Sequence, residues 1–386
     1  MDDLERLDGA GIGGNWLPLS SEHDSIHTLS DTTARLPLDV HAIVMEWVYR
    51  SSQHDCLDYR TLLACARVCR SWTPIAQRLL FRRVPYSDDR DADYFFQTSH
   101  YEKLIRTLRA NPHLATCVRC VYLNLWSGSR QTVVDETMVA LLELCPAVKG
   151  VVFAREVKNT ARTDALEARL RALPLRPIFL QAYGNARVLL RISELWPSVR
   201  MLDLREKGSV LDVIPIALPR GVESLCLHRD ALEWNTQEDN ICGVRHLEMY
   251  YLTGPCYRKL CVVGLLVRIR TLKIEGGFPP PDVWEHCTQL EGLEFDMLPE
   301  VALSLPRTLR YLVYGAGSRP WEGKTDARCI AAALPALVSL KLVTCTRSAT
   351  AIQFATLERA CRDCGVEFDV CEDALTLPNP RNVDWI

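Results

Sequence analysis

Val199-Arg200-Met201-Leu202-Asp203-Leu204, Val222-Glu223-Ser224-Leu225-Cys226-Leu227 and Val244-Arg245-His246-Leu247-Glu248-Met249 write one pattern three times. Apolar residues hold the first, fourth and sixth places. The last two are separated by one residue, the spacing that puts both side chains on one face of a strand. The pattern recurs as Val118-Val121-Leu123, Val148-Val151-Phe153, Ile269-Leu272-Ile274, Leu290-Leu293-Phe295, Leu309-Leu312-Tyr314 and Leu337-Leu340-Leu342. A weaker copy, Leu175-Ile178-Leu180, has Pro177 inside it. Successive copies begin 19 to 30 residues apart, which leaves room for one short strand and one return segment. One such copy cannot bury its own apolar face, so neighbours must stack and share a core.

Return segments with helical spacing end near a proline at Met138–Pro146, Ile192–Pro197 and Ile330–Leu334, the last just before Pro335. These features predict an α/β chain. The strands form either an irregular stacked array over 118–371 or the sheet of a compact α/β domain, and the uneven period leaves both open.

In each strand the residue between the last two apolar positions points away from the core, as does the second residue after it. The inner set is Asp203, Cys226, Glu248, Lys273, Glu294 and Lys341; the outer set is Arg205, His228, Tyr250, Glu275 and Asp296. With neighbouring strands about 4.8 Å apart, these residues line one stripe if the strands are in register. Its middle is acidic, with Glu248, Glu275, Glu294 and Asp296 set against Lys273. Such a stripe reads either as a solvated polar face or as a recognition surface for a basic segment of a protein partner. On the second reading the candidate substrate-binding residues are Asp203, Arg205, His228, Glu248, Tyr250, Lys273, Glu275, Glu294 and Asp296.

The N-terminal part is helical in pattern. Pro37 suits a first helical position, where the missing amide hydrogen has no intrahelical partner to lose. Val40, Ile43, Val44, Trp47 and Val48 then form one apolar stripe at helical spacing. Asp58 can cap a second helix carrying Leu62, Leu63 and Ala66. Trp72, Ile75, Ala76, Leu79 and Leu80 repeat the spacing in a third, with Pro74 tolerated in its opening turn.

The identities at these positions carry more than their periodicity. Leu36-Pro37-x-Asp39-Val40-x-x-Ile43, then Leu62-Leu63, then Val68-Cys69-Arg70-x-Trp72-x-x-Ile75-Ala76, then Leu80-Phe81-Arg82-x-Val84 closely resembles the F-box. The resemblance covers about 50 of 386 residues. It departs from the family at Arg50–Leu57, several residues longer than the usual short turn. The spacing of the later copies is similar to leucine-rich repeats, although the usual Asn or Cys ladder position is missing. The order of the two parts resembles the expanded fungal sets of F-box proteins with leucine-rich repeats.

The resemblance implies a small three-helix F-box over 35–84, a linker and capping helix over 85–117, a degenerate leucine-rich-repeat solenoid over 118–371, and tails at 1–34 and 372–386. It further implies that the chain docks a Skp-type adaptor, and through it a cullin ubiquitin ligase, while the repeats hold a protein substrate. Carried over position by position, the adaptor contacts would be Leu36, Pro37, Ile43, Leu62, Val68, Cys69 and Trp72. Ile43 and Leu62 fit equally well as internal core. The alternative function is a repeat scaffold that binds the adaptor without any ubiquitination role.

Composition narrows the classes. A formal charge of −3 gives no reason to expect nucleic acid as the main partner, which would favour a basic face. No apolar run approaches a membrane span, and Leu260–Val267 stops at Arg268, far short of about 20 residues. Sixteen cysteines are spread through apolar stretches, as expected of reduced, buried thiols in an intracellular protein, cytoplasmic or nuclear.

Gly9, Gly11 and Gly14 spell Gly-x-Gly-x-x-Gly without the preceding strand that dinucleotide binding requires. Cys117/Cys120 and Cys361/Cys364 are Cys-x-x-Cys pairs, the second with Cys371 nearby, yet neither completes a four-ligand zinc set. No enzymatic constellation, cofactor or metal is therefore expected.

Overall fold

The computed structural model describes residues 38–50, 59–68, 70–84, 98–123, 131–153, 167–183, 194–205, 218, 221–228, 243–250, 254–276, 279–295, 305–314, 327–346 and 351–371. The chain divides into two compact units, Met1–Cys117 and Val118–Ile386. Together they are mixed α/β, with helices in the first and a parallel sheet in the second.

The first unit opens with α1 (Leu38–Arg50), α2 (Tyr59–Val68) and α3 (Thr73–Leu80), followed by β1 (Arg83–Val84), α4 (Thr98–Ala110) and α5 (Pro112–Ala115). Asp39 sits in the first turn of α1, where a carboxylate complements the helix dipole. Pro74 occupies the opening turn of α3, where no amide hydrogen bond is lost. The three helices pack on one another. Their interior is supplied by Met45, Leu62, Ala76 and Leu79. Burial of each Leu or Met contributes about 2 kcal/mol. Thr73 Oγ1 donates to the Ala66 carbonyl at 2.8 Å, and Arg82 pairs with Glu46 at 3.2 Å; both contacts clamp α3 and its exit to the neighbouring helices. Asp58, the expected cap of α2, and the Trp47 and Val48 side chains lie outside the described residues.

The second unit contains β2 (Cys120–Leu123), β3 (Gly150–Phe153), β4 (Phe179–Tyr183), β5 (Met201–Arg205), β6 (Ser224–His228) and β7 (His246–Tyr250). It continues with β8 (Thr271–Glu275), β9 (Gly292–Phe295), β10 (Tyr311–Tyr314), β11 (Leu342–Thr346) and β12 (Glu367–Cys371). From β2 onward each strand pairs in parallel with the next in sequence. Parallel neighbours need a crossover. Described crossovers include α6 (Gln131–Leu144), the helices Gly254–Val262, Ala327–Ala333 and Ala351–Cys364, and the 3-10 turn Pro281–His286. Of the expected return segments, Met138–Leu144 and Ile330–Ala333 are helical, whereas Glu194–Leu195 is a turn.

Two crossover helices end on left-handed glycines, Gly264 and Gly365, both at φ 69°. The residue after each reaches back five positions, Leu265 to the Leu260 carbonyl at 3.2 Å and Val366 to the Cys361 carbonyl at 2.8 Å. That closure needs a residue without a Cβ penalty at positive φ, and it turns the chain back toward the next strand.

Register explains why one face is uniformly apolar. Leu202, Leu225, Leu247, Leu272, Leu293 and Leu312 stand side by side across β5–β10, and Leu204, Leu227, Met249, Ile274, Phe295 and Tyr314 form the next row. All are buried. The first apolar residue of each copy lies just ahead of its strand and is buried too, as at Val199, Val222, Val244, Ile269, Leu290 and Leu309.

The backbone corrects two of the expected copies. Lys341 N–H donates to the Arg310 carbonyl, as Arg310 N–H does to Glu291. Leu340 therefore takes the place of Leu309, and Val343 and Cys345 pair with Leu312 and Tyr314. The copy is Leu340-Val343-Cys345, not Leu337-Leu340-Leu342, and Leu337 instead closes the preceding 3-10 turn on Leu334 at 3.0 Å. By the same logic Leu180 and Ala182 pair with Leu202 and Leu204, so the weak copy starts at Pro177, not at Leu175. At β11 closely spaced leucines satisfy the pattern in two registers, whereas at β4 the true copy has Pro177 and Ala182 at apolar places and is overshadowed by Leu175 and Ile178.

No helix among the described residues is long and apolar enough to cross a membrane.

Candidate functional site

Two features outside the shared core concentrate chemistry. The first is α1. Helical spacing puts Val40, Ile43 and Val44 on one stripe, but that stripe faces outward: Ile43 is 68% exposed, and Val40 and Val44 are also exposed. The interior position belongs to Met45, fully buried, one turn after His41, whose ring lies 5.5 Å from that of Trp72. α1 is therefore apolar on two sides. At the end of α2, Val68 is 63% exposed.

The expected adaptor contacts separate accordingly. Ile43 and Val68 are on the surface and Trp72 is half-buried. Leu62 is fully buried, which corrects its assignment: it belongs to the packed interior of the helices and has no surface to offer. Leu36, Pro37 and Cys69 lie outside the described residues. Val40 and Val44 were legible as an apolar stripe, but periodicity does not say which side of a small helical unit such a stripe faces.

The second feature is the other face of the sheet. Alternation places Asp203, Cys226, Glu248, Lys273 and Glu294 in one cross-strand row, and Arg205, His228, Tyr250 and Glu275 in the next. The strands thus bring most of the expected substrate-binding set together. Arg205 pairs with His228 in the ladder, but its side chain, and Asp296 entirely, lie outside the described residues. Lys341 is a correction: it precedes β11 and is exposed, while Thr344 holds the row's position beside Val313.

These side chains do not form a simple solvated stripe. Asp203, Glu248 and Glu294 are all buried, and the row is knitted together. Lys273 Nζ lies 3.2 Å from Glu294, 3.3 Å from Glu275 and 3.5 Å from Glu248, all at Oε1. Tyr250 donates its hydroxyl to Glu248 Oε1. The Tyr250 ring stacks on His228, with centroids 4.1 Å apart and planes 3° from parallel. His228 Nε2 in turn lies 3.4 Å from Asp203 Oδ1 and 3.4 Å from Cys226 Sγ. A continuous network thus spans β5 to β9.

Its electrostatics follow from three carboxylates sharing one ammonium. Burial alone would lower the Lys273 pKa, but Glu294, Glu248 and Glu275 outweigh it and hold the amine firmly charged. Burial raises the Glu294 pKa. Lys273 pulls it back down, and Glu248 and Glu275 push it up again, leaving the carboxyl above its ordinary range. One ammonium thus faces two buried carboxylates and a third that is partly exposed, and the Glu294 carboxyl holds its proton more readily for it. One row over, burial lowers the His246 pKa, and its Nδ1 sits 2.7 Å from Thr271 Oγ1.

The outward face changes character along the sheet. At β2–β5 it carries the buried apolar cluster Cys120, Val152, Phe179 and Met201, which gives way to the ionic network from Asp203 onward. Cys120 thus packs as a hydrophobe. Cys361 is buried in the helix Ala351–Cys364, with its pKa pushed up to about 11 by burial first and Cys364 second, whereas Cys364 is exposed.

No family model matches the chain, and no curated protein matches it.

Proposed function

We propose that this chain is a substrate receptor of a Skp–cullin–F-box ubiquitin ligase, with α1–α3 as the F-box and the second unit as an irregular leucine-rich-repeat-like solenoid. The observation that carries this reading is the outward apolar face of α1. Val40, Ile43 and Val44 are exposed on the helix whose residues resemble the F-box, while Met45 and Leu62 fill the interior. Three adjacent aliphatic side chains held in water are costly, and an apolar helix face of this kind fits a groove in a partner. The occupant is a Skp-type adaptor. The strictly sequential parallel pairing of β2–β12 supports the solenoid reading, because each copy buries its apolar face only against its neighbours.

In this reading ubiquitin transfer belongs to other subunits, and the chain raises the local concentration of a protein substrate. Recognition of a basic substrate segment falls on the accessible part of the ionic face. Glu275, with a side chain 33% exposed, is more available than Glu248 or Glu294 at 8%.

The test is capture of a purified Skp-type adaptor by the full chain. Ile43→Asp with Val44→Asp should weaken it by about 30-fold or more, the equivalent of about 2 kcal/mol. Undiminished capture by the folded double variant would overturn the docking face. Recovery of the adaptor without any cullin would favour the scaffold function.

A further inference from the structure

Asp203, Cys226 and His228 bring a carboxylate oxygen, a thiol sulfur and an imidazole nitrogen together across β5 and β6, with the three ligand atoms all within 4.8 Å of one another. Asp203 and Cys226 are opposite one another in the ladder, and His228 follows Cys226 by two, so all three side chains leave the same face of the sheet. We propose that they form a three-ligand site for a divalent zinc ion, with water as the fourth ligand.

The geometry is the main argument. For zinc bonds of about 2.3 Å to sulfur and about 2.0 Å to nitrogen or oxygen, a tetrahedron has edges of about 3.5 Å between S and N and about 3.3 Å between N and O. The Sγ–Nε2 and Nε2–Oδ1 separations are both 3.4 Å. Both are close to tetrahedral edges, and the Nε2–Oδ1 separation is long for a hydrogen bond. Two edges of the ligand triangle thus have the tetrahedral length, and the third, from Sγ to the carboxylate, lies within 4.8 Å.

The donor set points to the metal. A thiolate, an imidazole and a carboxylate together suit borderline-soft zinc and not magnesium or calcium, which take oxygen ligands. On binding, Cys226 loses its proton to solvent and ligates as thiolate, His228 ligates neutral through Nε2 with its proton on Nδ1, and Asp203 ligates as carboxylate. The divalent charge is then balanced by the thiolate and the carboxylate.

The surroundings hold the ring that must be aimed. Tyr250 stacks flat on His228, and its hydroxyl is tied to Glu248, so the imidazole plane is set by a residue that does not itself ligate. Bound zinc would also cross-link β5 to β6 and place a cation at the end of a face otherwise rich in carboxylates.

Cobalt substitution tests this on the full chain. The metal-free protein titrated with Co2+ should bind one equivalent and develop a thiolate-to-cobalt charge-transfer band with the intense visible absorption of a tetrahedral site; Zn2+ should abolish both signals. Cys226→Ser should lose the charge-transfer band. His228→Gln should weaken Co2+ binding by at least about tenfold, and Cys364→Ser, at an exposed thiol, should leave it unchanged. Circular dichroism establishes that each variant is folded. His228→Gln, at a partly exposed position, decides the matter if Cys226→Ser does not fold. Absence of the band in the parent, its persistence in folded Cys226→Ser, or unaltered affinity in His228→Gln would each overturn the site.

Discussion

Leu202, Leu225, Leu247, Leu272 and Leu293 are the immediate sequence neighbours of Asp203, Cys226, Glu248, Lys273 and Glu294, yet the two rows live by different physics. They lie on opposite faces of the same strands. On the leucine face the stabilisation is non-directional and roughly proportional to buried area, so Leu, Ile, Met or Phe all serve. On the other face, burial is tolerable only because particular partners meet at particular distances. Interchangeable residues make the first face robust. Specific pairing makes the second one fragile and chemically capable.

Breaking that second face should have the largest effect. Lys273→Met leaves Glu248, Glu275 and Glu294 converging without their ammonium and should cost about 4 kcal/mol by urea denaturation at neutral pH, with part of the loss recovered in acid as the carboxylates take up protons. A cost below that of a surface substitution would mean that the network is not a stabilising unit.

On the leucine face, Leu272→Ala removes a fully buried side chain and should cost about 3 kcal/mol, with little dependence on pH. That pH-independence is what separates the two faces experimentally.

A finer distinction comes from Glu294. Its folded pKa is raised above the ordinary 4.5, so the folded state binds more protons than the unfolded chain in that window. Stability contributed by this group is present below about pH 4.5 and is lost as pH rises toward the raised value. Lys273 acts in another window: its raised pKa gives stability that is complete below the ordinary 10.5 and is lost at higher pH. Denaturant midpoints for Glu294→Gln should show a flatter slope than the parent upward from pH 4.5, with the alkaline limb retained. An identical acid limb would assign the slope to another group.

The smallest stability effect is expected on α1. Ile43→Asp, at a side chain 68% exposed, should change stability by less than about 0.5 kcal/mol while weakening adaptor capture. A large loss of stability there would show that the outward stripe is packed within the chain.

Much of this is legible in the sequence. The alternation in Leu202-Asp203-Leu204 and its relatives announces strands with two unlike faces, and the period announces that neighbours must share a core. The α1 and α3 patterns announce helices. Legibility failed where local patterns were degenerate: Leu337, Leu340, Leu342 and Val343 fit the copy in two registers, and only the hydrogen bond from Lys341 to Arg310 chooses between them. At Leu62 the sequence left a contact and a core position equally open, and burial decides for the core.

Strand and helix periodicity are properties of a few consecutive residues, so the sequence by itself determined most of the segments that are extended or helical and, outside β11, which row of each repeated strand is apolar. Whether an apolar helix stripe faces inward, and whether an acidic residue is solvated or locked into a network, depends on residues far away in the chain. His228 meets Asp203 from 25 positions away, and Lys273 reaches Glu248 and Glu294 from 25 and 21. Only the tertiary structure decided these, because cross-strand register converts distant positions into neighbours, and Coulomb and hydrogen-bond energies act at distances of a few ångström.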